Sequence, residues 1–447
     1  MRFVVVWVSV VMALFVAAAY GHTGGSVVSS SRSDQAIPAT ARAPSAAPAL
    51  GTAYSSERRA KAIAYSHAQY ALYFVGTLVS LAIYFLLWIS GVSGLFRDWA
   101  CRASRRRALQ CLIFVLLFLA VASLLNLPLD YYGGFMLEHR FGLSTQGLVS
   151  WVGDWAKSLA VTVALGTIGA GIFYTLVRRT PRRWWFYFWL ASIPLVLAFL
   201  LVEPFVIEPL FSKFTPLAKT QPALVERIEA MLNHAGLSIP PARVLEMDAS
   251  SKTKTVDAYV SGLGASKRVV VWDTALRTMG TDELLLVLGH ETGHYVLDHI
   301  PKEFTADEAV ALVFSFLGFL ALNRLLERMR SHAKIDGVSD LASFPFVLIV
   351  LTLLVFFSAP LVNGISRHYE HQADQFGLEV AYGIVPDPNA AEVRSLEILG
   401  DQDLADPDPN PFIKFWLYTH PPLEERIRFA ASYKPWAEGK PLELLHR

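Results

Sequence analysis

Two histidines and a glutamate in the middle of the chain have the spacing of a metal site. Residues 290–294 read His-Glu-Thr-Gly-His. Positions i and i+4 of a helix lie on one face, so His290 and His294 can each offer a ring nitrogen to one ion at about 2.1 Å, the zinc–nitrogen distance. Glu291 lies beside the first histidine, where its carboxylate can accept a proton from a water molecule that the metal activates. The pattern predicts a catalytic zinc site, with one ion per chain.

A catalytic zinc has three protein ligands and an open position. His299 lies five residues after His294, about 140° further round a continuous helix, so we expect it beside the site or on the surface rather than on the metal. Downstream, Glu370 and Asp374 are four residues apart. We expect Glu370 to bind the metal and Asp374 to accept the outer N–H of a ligand histidine. Arg367, one turn earlier, could balance these carboxylates, although such spacing also occurs on an ordinary charged helix face.

Short elements around the motif would position it. Helical spacing is present at 223–235, and Gly236 is placed to end that helix. Thr281 is a plausible N-cap for the helix that carries the motif to about residue 297. Three short strand candidates precede that helix and predict a small antiparallel meander: Arg243–Met247, Val256–Val260 and Arg268–Trp272.

Composition places this site in a membrane protein. Of the 447 residues, 53% are hydrophobic and only 17% are charged, against about 25% charged in soluble domains. The net charge of +1 provides no electrostatic footprint for nucleic acid, so no nucleic-acid partner is expected. Two cysteines exclude a disulfide framework and a cysteine-rich zinc module.

Six apolar segments are long enough, or nearly so, to cross a bilayer as helices. His290 and Glu370 must lie on the same side of the membrane to share an ion, so the chain between them must cross an even number of times. The fifth and sixth segments therefore form a membrane hairpin, or neither crosses. The segments are about Tyr70–Ile89, Ala108–Leu125, Ser158–Val177, Trp184–Val202, Ala309–Leu322 and Leu341–Leu361.

These features predict the domain organisation. The N-terminus combines a basic residue, an apolar run and small residues, as in a signal peptide or a first membrane helix, and a Ser-, Ala- and Pro-rich linker follows. In order, we expect a signal peptide or first helix at 1–21, a flexible linker at 22–67, a four-span membrane domain at 68–207, a catalytic domain at 208–305, a membrane hairpin at 306–362, and the third-ligand helix with a C-terminal segment at 363–447.

Arginine placement indicates an orientation. Five arginines lie in the loop 91–107 and four lie in 178–183, whereas 126–157 contains only Arg140 and Lys157. Positively charged loops remain in the cytoplasm. The segment after the fourth span, which carries the metal motif, is then expected outside the cytoplasm.

Together these residues resemble the type I CAAX prenyl endopeptidases, which are integral-membrane zinc metalloproteases of the gluzincin kind. The resemblance covers about 68–434 and implies a mainly α, multi-pass fold, in which a helical barrel encloses a chamber and a zincin-like domain contains the small meander. It also implies that Glu370 is the third ligand, Glu291 the base, and His420 a residue near the substrate. The motifs that carry it are Phe141–Leu143, Pro209–Leu217, Lys267–Thr274, His290–His294, Ser366–Asp374 and His420–Arg426.

The resemblance leaves the catalytic side and the substrate open. Eukaryotic members of the family keep the catalytic face in the cytosol, against the arginine pattern. An extended peptide is expected to pair along the strand that contains Asp257, Ala258 and Tyr259, although the family usually has Asn where this chain has Asp257. The expected partners are the lipid bilayer and a peptide or protein substrate, with or without a lipid group.

Three functions are compatible with this sequence. The first is processing of prenylated proteins, and the second is clearance of damaged membrane proteins by a protease of the same family. The third is a non-catalytic membrane scaffold with a structural zinc. Such a site would fill its fourth position with protein and would not need Glu291, which argues against the scaffold.

Overall fold

The structure is a computed structural model that describes residues 56–333 and 335–445. The predicted N-terminal segment 1–21 lies outside the described residues, as does most of the predicted linker. Most of the described chain is helical. The described α-helices of six or more residues are α1 (Ser56–Ile89), α2 (Val92–Ala103), α3 (Arg107–Tyr131), α4 (Leu148–Arg179), α5 (Trp184–Val202), α6 (Pro222–His234), α7 (Asp273–Thr278), α8 (Thr281–Val296), α9 (His299–Ala333), α10 (Phe344–Ala381), α11 (Pro388–Asp403), α12 (Pro411–Leu417) and α13 (Leu423–Ser432).

The expectation of a flexible linker up to residue 67 is wrong from Ser56 onward, where α1 begins. The stretch contains Arg, Lys and Ala, which favour helix in water. It also packs on the rest of the protein, because Ala62 is fully buried beside Leu143 and Leu404. Arg58 donates a hydrogen bond to the carbonyl of Asp401 at 3.2 Å.

Six helices in the described part of the chain are long and apolar enough to cross a membrane, and each contains or overlaps one of the predicted apolar segments. Two of them, α9 and α10, connect the motif at 290–294 to Glu370. The chain between the two halves of the site can therefore cross the membrane twice, as their meeting requires. The six are Ser56–Ile89, Arg107–Arg140, Leu148–Arg179, Trp184–Phe211, His299–Arg328 and Leu341–Ala381.

Both arginine-rich loops lie at one end of this helical assembly, with the connection between α9 and α10. Arg97 in α2 donates to Asp340 Oδ2 at 2.6 Å, and the hydroxyl of Tyr174, just before the second loop, donates to the carbonyl of Leu341 at 3.4 Å. Since α9 starts next to the metal motif and ends at this connection, the motif lies toward the opposite end.

The sheet in the described residues is mixed, so the expected antiparallel meander is wrong in its strand arrangement. The order is β1 (Phe214–Pro216), β2 (Val244–Met247), β4 (Arg268–Trp272) and β3 (Ala258–Ser261). Neighbours β1/β2 and β3/β4 are antiparallel, but β2/β4 are parallel. The third strand inserts between the other two predicted strands because its run Val269–Val271 is fully buried, as suits a central strand covered on both faces.

The two helix boundaries nearest the site also have clear causes. Thr281 is the first residue of α8, and Gly280 occupies the N-cap position, so the prediction that Thr281 caps the helix is wrong by one residue. At the other end, Asp298 adopts a left-handed conformation with φ of 53°. This turn separates α8 from α9 and redirects the chain at His299. Gly236, with φ of 75°, follows α6 as predicted.

Candidate metal centre

The site forms where α8 and α10 cross at two glycines. A Cβ atom on Gly377 would lie 3.0 Å from the backbone nitrogen of His290, and one on Gly289 would lie 3.3 Å from the Cα of Gly377. Neither position has room for a side chain, and glycine permits the close approach of the two backbones. The crossing brings His290 on α8 to Asp374 and Glu370 on the preceding turns of α10.

Three side-chain atoms at this crossing form a triangle. His290 Nε2 lies 3.1 Å from Glu370 Oε2, His294 Nε2 lies 3.3 Å from His290 Nε2, and His294 Nε2 lies 3.7 Å from Glu370 Oε2. A tetrahedral zinc site with bonds of about 2.1 Å has ligand atoms about 3.4 Å apart. Two imidazoles and one carboxylate of this spacing fit a divalent metal such as zinc, in both donor type and size.

A carboxylate orients the first histidine. His290 Nδ1 lies 2.8 Å from Asp374 Oδ1, so its N–H donates there and leaves Nε2 directed toward the triangle. Burial lowers the pKa of His290, but the hydrogen bonds to Asp374 and Glu370 outweigh it and raise that pKa to about 10. The two carboxylates thus give this imidazole surroundings that favour a bound cation.

Arg426 on α13, not Arg367, neutralises Asp374. Its Nε donates to Oδ2 at 3.0 Å and its Nη2 donates to Oδ1 at 2.6 Å. The prediction for Arg367 is wrong because its guanidinium donates to the backbone carbonyls of Lys414, at 3.1 Å, and Tyr418. These carbonyls lie in the last turn of α12 and at its C-cap, where backbone acceptors commonly take partners from outside the helix.

Sequence reasoning quoted Arg426 as part of a motif but gave it no role. It lies 52 residues beyond Asp374, and no helical spacing connects the two. The signal that could have found it was its position six residues after His420, because a short segment of chain can bring both side chains to the site.

His420 lies within the site. Its Nε2 is 2.9 Å from Glu370 Oε2, and its ring stacks on that of His290 with centroids 6.3 Å apart. His290, Glu370 and His420 can each direct a donor atom to within 4.8 Å of the others. Burial lowers the pKa of His420, and the Glu370 carboxylate only partly reverses this, which favours the neutral ring. A neutral imidazole can donate its Nε2–H to an oxygen atom.

The remaining predicted residues take distinct positions. His299 is fully buried and lies beside the site, with its Nδ1 3.3 Å from His294 Nδ1 and its Nε2 3.1 Å from Gln372 Oε1. Glu291 is partly buried on α8. Among the described residues, its carboxylate has no hydrogen bond or ion pair.

The predicted substrate strand lies at the edge of the sheet. Strand β3 begins at Ala258, one residue after Asp257, and the described strands pair with it on one side only. The hydroxyl of Tyr259 donates to Glu208 Oε2 at 3.0 Å. Tyr295 of α8 donates to the carbonyl of Gly262 at 3.1 Å, which fixes the end of the strand beside the helix that carries the histidines.

Comparison with known proteins identifies the family. Residues 37–213 match the family model of the CAAX prenyl protease N-terminal domain with five membrane helices, and residues 218–434 match peptidase family M48. The uncharacterized metalloprotease YhfN of Bacillus subtilis is 33% identical over 401 residues, which are 89% of this chain and 90% of that protein. The chain belongs to the type I CAAX prenyl protease family.

Further members agree with this assignment. A CAAX prenyl protease 1 homolog of Arabidopsis thaliana is 29% identical, over 84% of this chain and 87% of its own. The crystal structure of S. mikatae Ste24p superposes with a TM-score of 0.73 at 25% identity, covering 87% of this chain and 92% of Ste24p. The predicted mainly α, multi-pass fold is confirmed, and the protein is an integral-membrane metalloendopeptidase with a metal cofactor and a peptide or protein substrate.

Proposed function

We propose that the metal is zinc, one ion per chain, held by His290, His294 and Glu370. The observation that carries this proposal is the triangle of donor atoms, with sides of 3.1, 3.3 and 3.7 Å. A catalytic site keeps one position open for water or substrate. The buried pair Asp374–Arg426 would hold His290 in the required tautomer and orientation.

We assign the proton transfers to Glu291. When bound, zinc supplies Lewis acidity, which polarises a peptide carbonyl and makes water more acidic. The unpaired carboxylate of Glu291 accepts a proton from the attacking water and passes it to the leaving amine. His420 directs its Nε2–H into the site, where it can donate to the oxygen of the scissile carbonyl as negative charge develops.

Strand β3 is the proposed binding edge for the peptide. An extended substrate would add along the edge of β3 at Ala258 and Tyr259, with main-chain hydrogen bonds giving affinity and side-chain pockets giving selectivity. Asp257 lies at the start of this edge. We therefore propose that Asp257, Ala258 and Tyr259 contact the substrate beside the scissile bond.

We propose that the substrate carries a prenyl group. The names of the Arabidopsis and yeast relatives, both CAAX prenyl proteases, support this assignment. The site also lies next to two helices that can cross the bilayer, and a lipidated peptide inserts its lipid group into the bilayer. From the arginine distribution, we propose that the end with both arginine-rich loops is cytoplasmic and that the metal site faces the other side.

The decisive experiment compares wild type with Glu291→Gln in detergent-purified protein. Substrates are a farnesylated CAAX peptide, the same peptide without the lipid, and an unfolded polypeptide. Glu291→Gln should retain one zinc per chain and lose activity by a factor of at least about 10². Glu327→Gln, an exposed residue on α9, is the matched control. Full activity of Glu291→Gln would contradict the mechanism, and equal cleavage of the two peptides would contradict the prenyl assignment.

A further inference from the structure

One buried stripe of α9 changes character along its length. Residues 303, 307, 318, 322 and 326 are buried at roughly helical spacing. Gly318, Leu322 and Leu326 form the far part and pack on α10 and neighbouring helices. In its part nearest the metal centre the stripe carries two carboxylates, Glu303 at 7% exposure and Asp307 at 3%. Glu308, next to Asp307 and outside the stripe, is also buried.

The two carboxylates lie next to the candidate metal centre along α9. His299, whose ring contacts His294, is four residues before Glu303 and eight before Asp307, on nearly the same face of the helix. At about 1.5 Å of rise per residue, the carboxylates begin about 6 and 12 Å along the axis from His299. Glu303 is close enough to Glu370 and Asp307 to experience the repulsion of both charges.

Among the residues that the structure describes, neither Glu303 nor Asp307 has a hydrogen bond or an ion pair. The neighbouring cations are engaged elsewhere: Lys302 donates to the carbonyl of Leu297, Arg367 to carbonyls at the end of α12, and Arg426 to Asp374. Two carboxylates without a counter-charge among the described residues are costly inside membrane helices. A cation supplied from outside the described residues would remove that cost.

The neighbouring helix α10 carries a further buried polar group one turn from Glu370. Ser366 lies one turn before Glu370 on the same face of α10 and is only 2% exposed. Its hydroxyl has no hydrogen bond within the described ranges. A buried hydroxyl and two buried carboxylates, none with a partner among the described residues, provide acceptors for a group that donates several hydrogen bonds and carries positive charge.

We infer that Glu303 and Asp307 form a specificity subsite for a basic side chain, Lys or Arg, of the peptide substrate. The inference rests on the proposed protease site. An extended peptide advances about 3.3 Å per residue, and a lysine side chain adds about 6 Å of reach. The basic residue therefore lies within about four positions of the scissile bond. Its ammonium or guanidinium group neutralises the two carboxylates and donates hydrogen bonds to them.

The experiment uses full-length, zinc-loaded protein and a set of quenched fluorescent peptides of one base sequence. Each peptide carries either lysine or its uncharged analogue norleucine at one of the four positions on either side of the scissile bond. The readout is the ratio of kcat/KM for the lysine and norleucine peptides on one protein preparation. Loss of folded protein cancels in this ratio.

At one position or two adjacent positions, wild type should favour lysine by at least about tenfold. Glu303→Gln and Asp307→Asn should each bring the ratio toward one. Glu303→Lys should instead cleave a peptide with glutamate at that position faster than the norleucine peptide. Glu327→Gln should leave it unchanged. A ratio near one in wild type at every position would overturn the inference, as would a lysine preference that survives in both neutral variants. Failure of wild type to cleave any peptide or polypeptide would contradict the protease proposal as well.

Discussion

Arg426 holds Asp374 through two parallel hydrogen bonds, of 3.0 and 2.6 Å, while Asp374 accepts a third from His290 at 2.8 Å. The guanidinium group thus acts on the candidate metal centre indirectly, through the carboxylate of Asp374. Burial lowers the pKa of Arg426, but Asp374 raises it further than burial lowers it, so the arginine stays charged. Its bidentate geometry fixes the plane of the Asp374 carboxylate and hence the direction of the imidazole.

Loss of this arrangement should weaken metal binding. We expect Arg426→Ala and Asp374→Asn each to lower zinc affinity by about 10- to 100-fold, as for other groups that orient a ligand histidine. The measurement is competition with a chelator of known affinity, read as zinc per chain, together with peptide cleavage at saturating zinc.

Arg426→Lys separates geometry from charge. Lysine keeps the positive charge but cannot donate two parallel hydrogen bonds, so we expect an affinity between those of wild type and Arg426→Ala. Arg428→Ala, on the same helix but exposed, is the matched control. Wild-type zinc affinity in Arg426→Ala would show that Asp374 does not need this partner.

How far the sequence predicted this site depends on the distance along the chain between partners. The two histidines of the motif and the pair Glu370/Asp374 each lie within one helix, so the helical period alone places them on common faces. Arg426 and His420 approach from a third segment, and only the three-dimensional path of the chain brings them there.

The fold shows the same division. The six apolar helices were recognisable because each segment satisfies its own length and composition requirement. The strand order was not, because insertion of β4 between β2 and β3 depends on burial of that strand on both faces and on its pairing with distant residues. Strand β1 was not predicted, because three residues that include Pro216 carry no alternating pattern of apolar and polar side chains.

His420 should affect catalysis more than metal binding. If its Nε2–H serves the developing negative charge, His420→Ala should lower kcat by about 10²–10³ and leave zinc at one per chain, since His290, His294 and Glu370 are the proposed ligands. Parallel zinc analysis and steady-state kinetics test this. A variant that loses its zinc would instead identify His420 as a ligand, and Thr419→Ala tests whether the hydroxyl 3.1 Å from its Nδ1 contributes.

The proposed orientation can be tested with a native cysteine. Cys101 is exposed and Cys111 is buried, and Cys101 lies in the last turn of α2, within the arginine-rich segment 91–107. We expect a membrane-impermeant maleimide to label Cys101 in inverted membrane vesicles and not in right-side-out vesicles. The control is Cys101→Ala combined with Lys219→Cys, at an exposed position near the sheet, which should show the opposite pattern. Labelling of Cys101 only in right-side-out vesicles would place the metal site in the cytoplasm.

Glu392 on α11 makes the stability of the folded protein depend on pH. Burial, followed by the charge of Asp374, raises the pKa of this carboxyl to about 7, and its Oε2 accepts a hydrogen bond from Ser395 at 3.2 Å. In the unfolded chain a glutamate has a pKa of about 4.3. Between these values the folded protein binds more protons than the unfolded chain, so the contribution of Glu392 to stability falls as the pH rises.

Glu392→Gln removes this titration and keeps an acceptor for Ser395. Relative to Glu392→Gln, wild type should lose up to about 1.4 kcal/mol of stability per pH unit between about pH 4.5 and 7. Above about pH 7 the difference should level off, because the carboxyl is then ionised in both states. Thermal unfolding of the two proteins in detergent, measured from pH 5 to 9 with Glu226→Gln as the surface control, tests the sign. A difference in Tm that stays constant from pH 5 to 7 would mean that Glu392 is already ionised in the folded protein.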